Sequence, residues 1–284
     1  MNSNTKTKEL VKERYSVIAG QAKELNVSSC CGSTGCCGDN AYPIMAERYS
    51  DLDGYVPDAD LGLGCGLPTE FAQIKKGDTV VDLGSGAGND VFIARRIVGE
   101  EGTVIGIDFT TAMIERATEN AEKFSYKNVQ FRLGDIEDMP VTANKADVII
   151  SNCVLNLVPN KHKAFSEIYR VLKPGGHFSI SDIVLEGAIP AKWKEVAELY
   201  AGCLSGAIQK ENYLEIIDEA GFAKIKVQKE KTINIPDELL AAYLSEDEMI
   251  EYKNSSTRIA SITVYAEKPA KDSRNCCEPG AKCC

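Results

Sequence analysis

The sequence predicts an α/β fold, in which a doubly wound and mostly parallel sheet carries helices on both faces. From Asp78 onwards, short runs rich in β-branched residues alternate with amphipathic helical segments. A chain of 284 residues with 44% hydrophobic content can bury one large core of this kind and a smaller appended region. We therefore expect one large domain rather than several equal ones.

The elements follow from hydrophobic periodicity and from turn residues. Strands are predicted at 79–83, 103–107, 129–133, 146–151 and 177–182, with two further candidates at 223–228 and 259–266. Helices are predicted at 89–98, 111–123, 162–172, 190–203 and 210–220, and the acidic stretch 236–252 is also expected to be helical. The run Lys173-Pro174-Gly175-Gly176 is a strong helix stop.

The two ends of the chain differ from this core. A helix at 6–25 is followed by a Ser/Cys/Gly loop at 28–40. Eleven cysteines are present, and eight form adjacent pairs near the ends: Cys30/Cys31, Cys36/Cys37, Cys276/Cys277 and Cys283/Cys284. We divide the chain into a helical and Cys-rich arm (1–70), the core (71–205), a small α+β region that completes the sheet (206–269) and a flexible Cys-rich tail (270–284).

Charge and composition exclude several classes of function. The net charge of −10 and the pI near 4.9 disfavour binding to nucleic acid and to anionic membranes, which reward clustered Lys and Arg. The amino terminus is polar, and the chain contains no apolar run of the roughly 20 residues that a membrane span needs. We expect a cytoplasmic protein, in which many thiols indicate metal, redox or catalytic chemistry.

A glycine-rich turn follows the first predicted strand. The segment from Val80 to Asp90 places Gly84, Gly86 and Gly88 between a buried strand and a helix, where backbone N–H groups can face a ligand. A dinucleotide fingerprint would need its third glycine at the position of Asn89, so the pattern is G-x-G-x-G instead. One such motif alone is weak evidence.

Two further strands end in ligand-type residues. Asp108 ends the second strand and is suited to accept both hydroxyls of a ribose. Gly134-Asp135-Ile136 ends the third strand and offers a polar side chain beside an apolar one, which suits the edge and face of an adenine. Three consecutive strands therefore present ligand groups at their carboxyl ends, which is a strong signal as a set.

This set resembles the class I S-adenosylmethionine (SAM) methyltransferases, which have a Rossmann-like fold. The resemblance spans about 71–269 and implies a seven-stranded sheet whose last strand is antiparallel. It implies cofactor-binding roles for eleven residues: Asp82, Gly84, Ser85, Gly86, Gly88, Asp108, Met113, Gly134, Asp135, Ile136 and Asn152. Met113 is the weakest of these, since it also fits an ordinary core position.

Cys153 falls where the fourth strand enters the reaction crevice. An oxygen or nitrogen acceptor would call for a base, but the two histidines, His162 and His177, fit a helix start and a strand start. Carboxylates stay possible as bases. Thiolates bind soft, thiophilic centres, and Cys65 on a glycine loop and Cys203 after the fifth strand can converge on Cys153.

Three segments narrow the resemblance to the arsenite methyltransferases: Gly64-Cys65-Gly66, Ser151-Asn152-Cys153-Val154 and Ala201-Gly202-Cys203. The resemblance implies As(III) held by Cys65, Cys153 and Cys203, with its lone pair aimed at the methyl group of SAM. A further family cysteine best matches Cys37, although Cys36, Cys31 and Cys30 stay open. Cys37 with Cys65 is our first expectation for the exchange that returns arsenic to the trivalent state.

The resemblance thus implies methyl transfer from SAM to arsenite or its thiol conjugates, in arsenic detoxification. A thiol reductant such as thioredoxin or glutathione would restore the dithiol. We expect a monomer, and we expect the tail to capture As(III) and pass it inward.

Two other functions stay open from the sequence. One is a class I methyltransferase that acts on carbon or oxygen of a small metabolite, with inert or zinc-binding cysteines. The other is a non-enzymatic thiol protein that binds metalloids.

Overall fold

A computed structural model describes residues 3–21, 49–187, 206–233, 241, 245–254 and 258–270. Seven strands form one sheet: β1 (Thr79–Leu83), β2 (Thr103–Asp108), β3 (Val129–Leu133), β4 (Ala146–Asn152), β5 (Leu172–Glu186), β6 (Ala223–Ile233) and β7 (Arg258–Glu267). Their order is β3-β2-β1-β4-β5-β7-β6. The first five strands run parallel, and β7 pairs antiparallel with both β5 and β6. This confirms the predicted α/β class and the antiparallel last strand.

Seven α-helices are described: α1 (Ser3–Ala19), α2 (Pro68–Phe71), α3 (Asn89–Val98), α4 (Thr111–Lys123), α5 (Lys161–Val171), α6 (Lys210–Glu219) and α7 (Glu246–Asn254). The predicted bounds of α3 and α4 agree with the structure. The helix predicted at 190–203 lies outside the described residues, as do 236–240 and 242–244 of the helix predicted at 236–252. The second half of that predicted helix corresponds to α7.

Alternate residues of the strands face two separate cores. Val80, Val104 and Val148 pack with Phe92 of α3 on one face. Val81, Ile105 and Ile149 face the other side, in a cluster that also contains α5 and α6. Because both faces are buried, these strands are apolar throughout, which is the pattern that parallel sheets require.

The strand β5 starts earlier and ends later than predicted. The run Lys173-Pro174-Gly175-Gly176 does end α5, at Val171, but it already belongs to the strand. The amide of Gly175 donates to Lys268 O and the amide of Lys268 donates to Gly176 O, both across to the end of β7. The long antiparallel partner therefore extends β5 beyond its parallel pairing with β4.

No helix among the described residues is long and apolar enough to cross a membrane.

Candidate functional site

A deep cleft lies beyond the carboxyl ends of β1, β2, β3 and β4. Its walls come from the turn after β1, from α1, from the loop that carries Cys65 and from the segment after β4. The sheet order changes direction between β1 and β4, which is where open α/β sheets bind their ligands. The fold thus places the glycine turn and Cys153 at the same cleft.

The turn after β1 requires glycine for two different reasons. Gly84, Gly86 and Gly88 all have positive φ, at +65°, +51° and +99°. A Cβ on Gly84 would also lie 2.5 Å from the side chain of Val154, and a Cβ on Gly88 would lie 2.9 Å from Phe92 and from Phe131. The backbone of this turn therefore packs against neighbours too closely for any side chain at Gly84 or Gly88.

Three carboxylates lie at the base of the cleft. Burial raises the pKa of Asp82 well above its usual range, and the carboxylates of Asp90 and Asp108 raise it further. Burial also raises the pKa of Asp108, although the amides of Thr110 and Gly86 donate to it at 2.8 and 3.0 Å and oppose the shift. Such a concentration of acid groups favours a positively charged ligand over an anionic one.

The helix α1 covers the outer side of the cleft. Lys8 Nζ lies 2.6 Å from both Asp135 Oδ2 and Glu137 Oε2. Ile18 packs with Leu61, Ala87 and Met113 in a small apolar cluster. Because α1 contacts both the third strand end and the glycine turn, it forms a wall of the same site.

The thiols of Cys65 and Cys153 meet at the inner side of the cleft, where they form a disulfide with a Cα–Cα distance of 5.7 Å. Both residues are buried, with 1% and 5% of their surface exposed. Cys153 has φ +59°, in the left-handed region, and its amide donates to Ser181 O at 2.8 Å. Ser261 Oγ donates to Cys65 O at 2.7 Å. A backbone hydrogen bond to β5 therefore fixes Cys153, and a side-chain hydrogen bond from β7 fixes Cys65.

A methyltransferase domain family model matches residues 74–221. The chain is 38% identical over 278 residues to an arsenite methyltransferase of Halobacterium salinarum, which covers 94% of this chain and 68% of that protein. The chain belongs to the arsenite methyltransferase family. An arsenite methyltransferase of Aquipseudomonas alcaligenes is 31% identical, over 84% of this chain and 68% of the relative.

A solved structure agrees with this family. The crystal structure of an arsenic(III) S-adenosylmethionine methyltransferase from Chlamydomonas reinhardtii superposes with a TM-score of 0.64 at 31% identity, over 80% of this chain and 74% of that one. A phosphoethanolamine N-methyltransferase from Haemonchus contortus, at 20% identity and a TM-score of 0.55, shares the fold.

The residues of this arsenite methyltransferase cleft fit SAM. Asp82 Oδ2, Ser85 Oγ and Asn89 Oδ1 are buried and have no hydrogen-bond partner. A buried polar atom without a partner is costly, so the atoms of Ser85 and Asn89, which line the cleft, indicate a polar ligand. The acid groups below them suit the positive charge of a sulfonium.

Nine of the eleven predicted cofactor residues line the cleft: Gly84, Ser85, Gly86, Asp108, Met113, Gly134, Asp135, Ile136 and Asn152. Gly88 and Asp82 do not line it. Gly88 precedes α3, and its amide donates to Ser85 O at 2.9 Å, so it closes the turn. Asp82 is buried beneath the turn. Met113 packs in the core as well as lining the cleft, as its sequence position allowed.

The structure brings two of the four predicted cysteines together. Cys65 and Cys153 are in contact, and the exchange expected between Cys37 and Cys65 stays a prediction. Cys37 and Cys203 lie outside the described residues, as do the four cysteine pairs and therefore the zinc alternative. Within the described part of the chain, no group of three His, Cys, Asp or Glu side chains could hold a metal ion.

Sequence reasoning missed the contributions of Lys8, Tyr15 and Tyr49 to the cleft. Tyr15 is part of the apolar spacing that predicts α1, but that spacing does not show where the helix docks. Lys8 is at a polar position of the predicted helix, and such a position indicates only that the side chain is exposed to solvent. Tyr49 precedes the glycine loop in sequence, and no local signal distinguishes it from a core residue.

Proposed function

We propose that this protein transfers a methyl group from SAM to trivalent arsenic held by cysteine thiolates, giving methylated arsenicals. The observation that carries the proposal is the contact between Cys65 and Cys153 at the wall of the cofactor cleft of an arsenite methyltransferase family member. Thiolates are the ligands that soft, thiophilic centres prefer. Cys203 is the proposed third ligand. The biological role would be arsenic detoxification.

Protein groups around the cleft have separable tasks in this proposal. Asp108 holds the ribose, Asp135 and Ile136 hold the adenine, and the turn from Gly84 to Gly88 approaches the methionine part. When bound, SAM supplies an electrophilic methyl group on a sulfonium. Asp82 and Asp108 stabilise the positive charge of the bound donor.

The acceptor atom carries its own lone pair, so methyl transfer to As(III) requires no proton removal. The apolar side chains of Val154, Leu157 and Val158 line the cleft beside Cys153. They exclude water from the thiols, and a dry site leaves the charge of the sulfonium less well solvated before transfer. Positioning of the reacting atoms and exclusion of water from the site therefore take the place of acid and base catalysis.

The disulfide between Cys65 and Cys153 defines a redox requirement. Arsenic binds thiolates, so two electrons and two protons must first convert this disulfide into two thiols. During transfer an arsenic–carbon bond forms, the sulfur–carbon bond breaks and arsenic becomes formally As(V). Two protein thiols can return two electrons to arsenic by forming a disulfide again. Thioredoxin or glutathione is the proposed donor of two electrons and two protons each time the protein disulfide is reduced.

The test compares wild-type protein with Cys153→Ser and Cys65→Ser during anaerobic incubation with arsenite, SAM and excess thiol. Arsenic species are then separated and identified by mass. We expect methylated arsenic from the wild type and at least a hundredfold less from either variant, while calorimetric SAM binding is retained. Cys283→Ser is the matched control, since at saturating arsenite a tail thiol is not needed. Full activity in both site variants would exclude the thiolate mechanism.

A further inference from the structure

Asn152, the last residue of β4, joins the two cysteine segments. Its Oδ1 accepts the backbone amides of Cys65 at 3.0 Å and Gly66 at 3.2 Å. Only an oxygen can accept from these two donors, so the hydrogen bonds themselves fix which way the amide group points. The side chain that directly precedes Cys153 therefore binds the backbone of Cys65.

The nitrogen of the same side-chain amide has hydrogen-bond partners of its own. Asn152 Nδ2 donates to Gly66 O at 2.8 Å, lies 3.3 Å from Asp90 Oδ2 and contacts the hydroxyl of Tyr49. The Tyr49 hydroxyl in turn lies 3.0 Å from both Gly66 O and Asp90 Oδ2. Asp90 is in the first turn of α3, so this network also reaches the helix that follows the cofactor turn.

The charge of Asp90 supports this arrangement. Burial raises the pKa of Asp90 to about 6, while hydrogen bonds from Asn152 and Tyr49 act in the opposite direction. Both hydrogen bonds are stronger to a carboxylate than to a neutral carboxyl group, so they favour the ionised form of Asp90.

The glycine loop is shaped to admit Asn152. A Cβ on Gly64 would lie 2.7 Å from Asn152 Nδ2 and 3.2 Å from the Tyr49 hydroxyl. No real Cβ approaches an atom that closely, so a side chain at Gly64 would displace the amide. The residue before Cys65 is small because Asn152 occupies the adjacent space.

We propose that Asn152 is a positioning residue, oriented by Tyr49 and Asp90, that holds Cys65 against Cys153 so that both thiolates bind one arsenic atom. The part of this inference that concerns arsenic rests on the proposed function. The claim that Asn152 holds one cysteine against the other does not depend on the proposed function. This role differs from the cofactor contact that the sequence alone suggests for Asn152.

The test uses reduced, full-length wild-type protein and the variants Asn152→Ala and Tyr49→Phe. Asn128→Ala is the matched control, because Asn128 is also a half-buried amide that bridges loop carbonyls, those of Gly99 and Gly102 at 2.7 and 2.9 Å. Each protein is equilibrated in buffers of reduced and oxidised glutathione, where one oxidised glutathione accepts two electrons and two protons from Cys65 and Cys153. Mass spectrometry of the linked peptide gives the effective concentration of the two thiols.

We expect that effective concentration to fall about tenfold or more in Asn152→Ala, and less in Tyr49→Phe, because three hydrogen bonds to the backbone of the Cys65 loop are lost in the first variant. Asn128→Ala should have the same effective concentration of the two thiols as the wild type, even where its melting temperature is lower. The KM for arsenite should rise in Asn152→Ala while the KM for SAM stays within twofold.

The outcomes separate the two proposals. An unchanged effective concentration in Asn152→Ala, or a rise only in the KM for SAM, overturns the positioning role. A fall in effective concentration that Asn128→Ala reproduces also overturns it, since the effect would then be general loosening. Wild-type protein that fails to methylate arsenite, with the thiol effect intact, refutes the proposed function and leaves the contact between the segments standing.

Discussion

Replacement of Gly66 by alanine should displace the cysteine loop for a purely steric reason. A Cβ on Gly66 would lie 2.5 Å from Ser181 Oγ and 2.6 Å from Ser181 Cβ. Ser181 is fully buried and its hydroxyl is hydrogen-bonded to Thr263 Oγ1 at 2.9 Å, so it has little room to move away. The loop must shift instead, and Cys65 must shift with it.

The expected cost follows from overpacking. Insertion of one methyl group into a well-packed site typically destabilises a protein by about 1–3 kcal/mol. We expect Gly66→Ala to lower the free energy of unfolding by about 2 kcal/mol and to raise the KM for arsenite. Urea unfolding in reducing buffer and steady-state kinetics measure the two effects.

A double-mutant cycle identifies the clash. Ser181→Gly removes both atoms that the new methyl group would meet, so the double variant should recover about 1–2 kcal/mol of the loss. Gly20→Ala is the control, because the nearest atom to its Cβ, Val17 O, is 3.5 Å away, an ordinary contact. Wild-type stability and wild-type arsenite KM in Gly66→Ala, or no coupling with Ser181, would refute this reasoning.

Two further predictions concern charged groups. Burial raises the pKa of Asp182 from 3.8 to about 7, against the opposing effect of Lys161, so its ionisation destabilises the fold. This cost is absent below about pH 4 and complete above about pH 7, where it amounts to about 4 kcal/mol. The stability of wild type relative to Asp182→Asn should therefore fall as the pH rises from 4 to 8, and a pH-independent difference in urea unfolding would contradict the buried charge. Lys8→Ala should raise the KM for SAM about two- to fivefold, because it removes two half-exposed ion pairs, with Asp135 and Glu137, beside the proposed adenine site. Lys6→Ala, at an exposed lysine of the same helix, is the control. Equal KM values for SAM in the two variants would show that Lys8 has no role in cofactor binding.

The core of the fold was predictable because its signals are local. The run 79–83 is a strand with the predicted bounds, since a buried parallel strand is apolar and is bounded by turn residues. The run 129–133 also has the predicted bounds, although it is an edge strand in which Gln130 and Arg132 alternate with apolar residues. β5 runs from Leu172 to Glu186, far beyond its predicted limits. Leu172, at its start, pairs with Ala146 of β4, and the residues after Asp182 pair with β7, which is distant in sequence. No local pattern reports such partners.

The residues of the site that lie at the ends of strands could be predicted from the sequence. Asp108 and Asp135 follow from the rule that parallel strands present ligand groups at their carboxyl ends. Lys8 and Tyr49 were not predictable, because each reaches the cleft from a segment whose docking depends on tertiary contacts. The need for glycine at position 88 has a further reason that the motif does not show, because the aromatic rings of Phe92 and Phe131 leave no space for a Cβ.

The contact between the glycine turn and the cysteine segment explains why one cleft can serve both cofactor and thiols. β1 and β4 are neighbours in the sheet, with Leu83 paired to Ser151, so the residues that follow each strand emerge side by side. Gly84 follows the first strand and lies against Val154, which follows Cys153. The position of Cys153 relative to the turn is therefore set by the register of two central, fully buried strands. A thiol placed there needs one partner, on the Cys65 loop, to complete a pair, and that loop is the part that Asn152 and Ser181 hold in place.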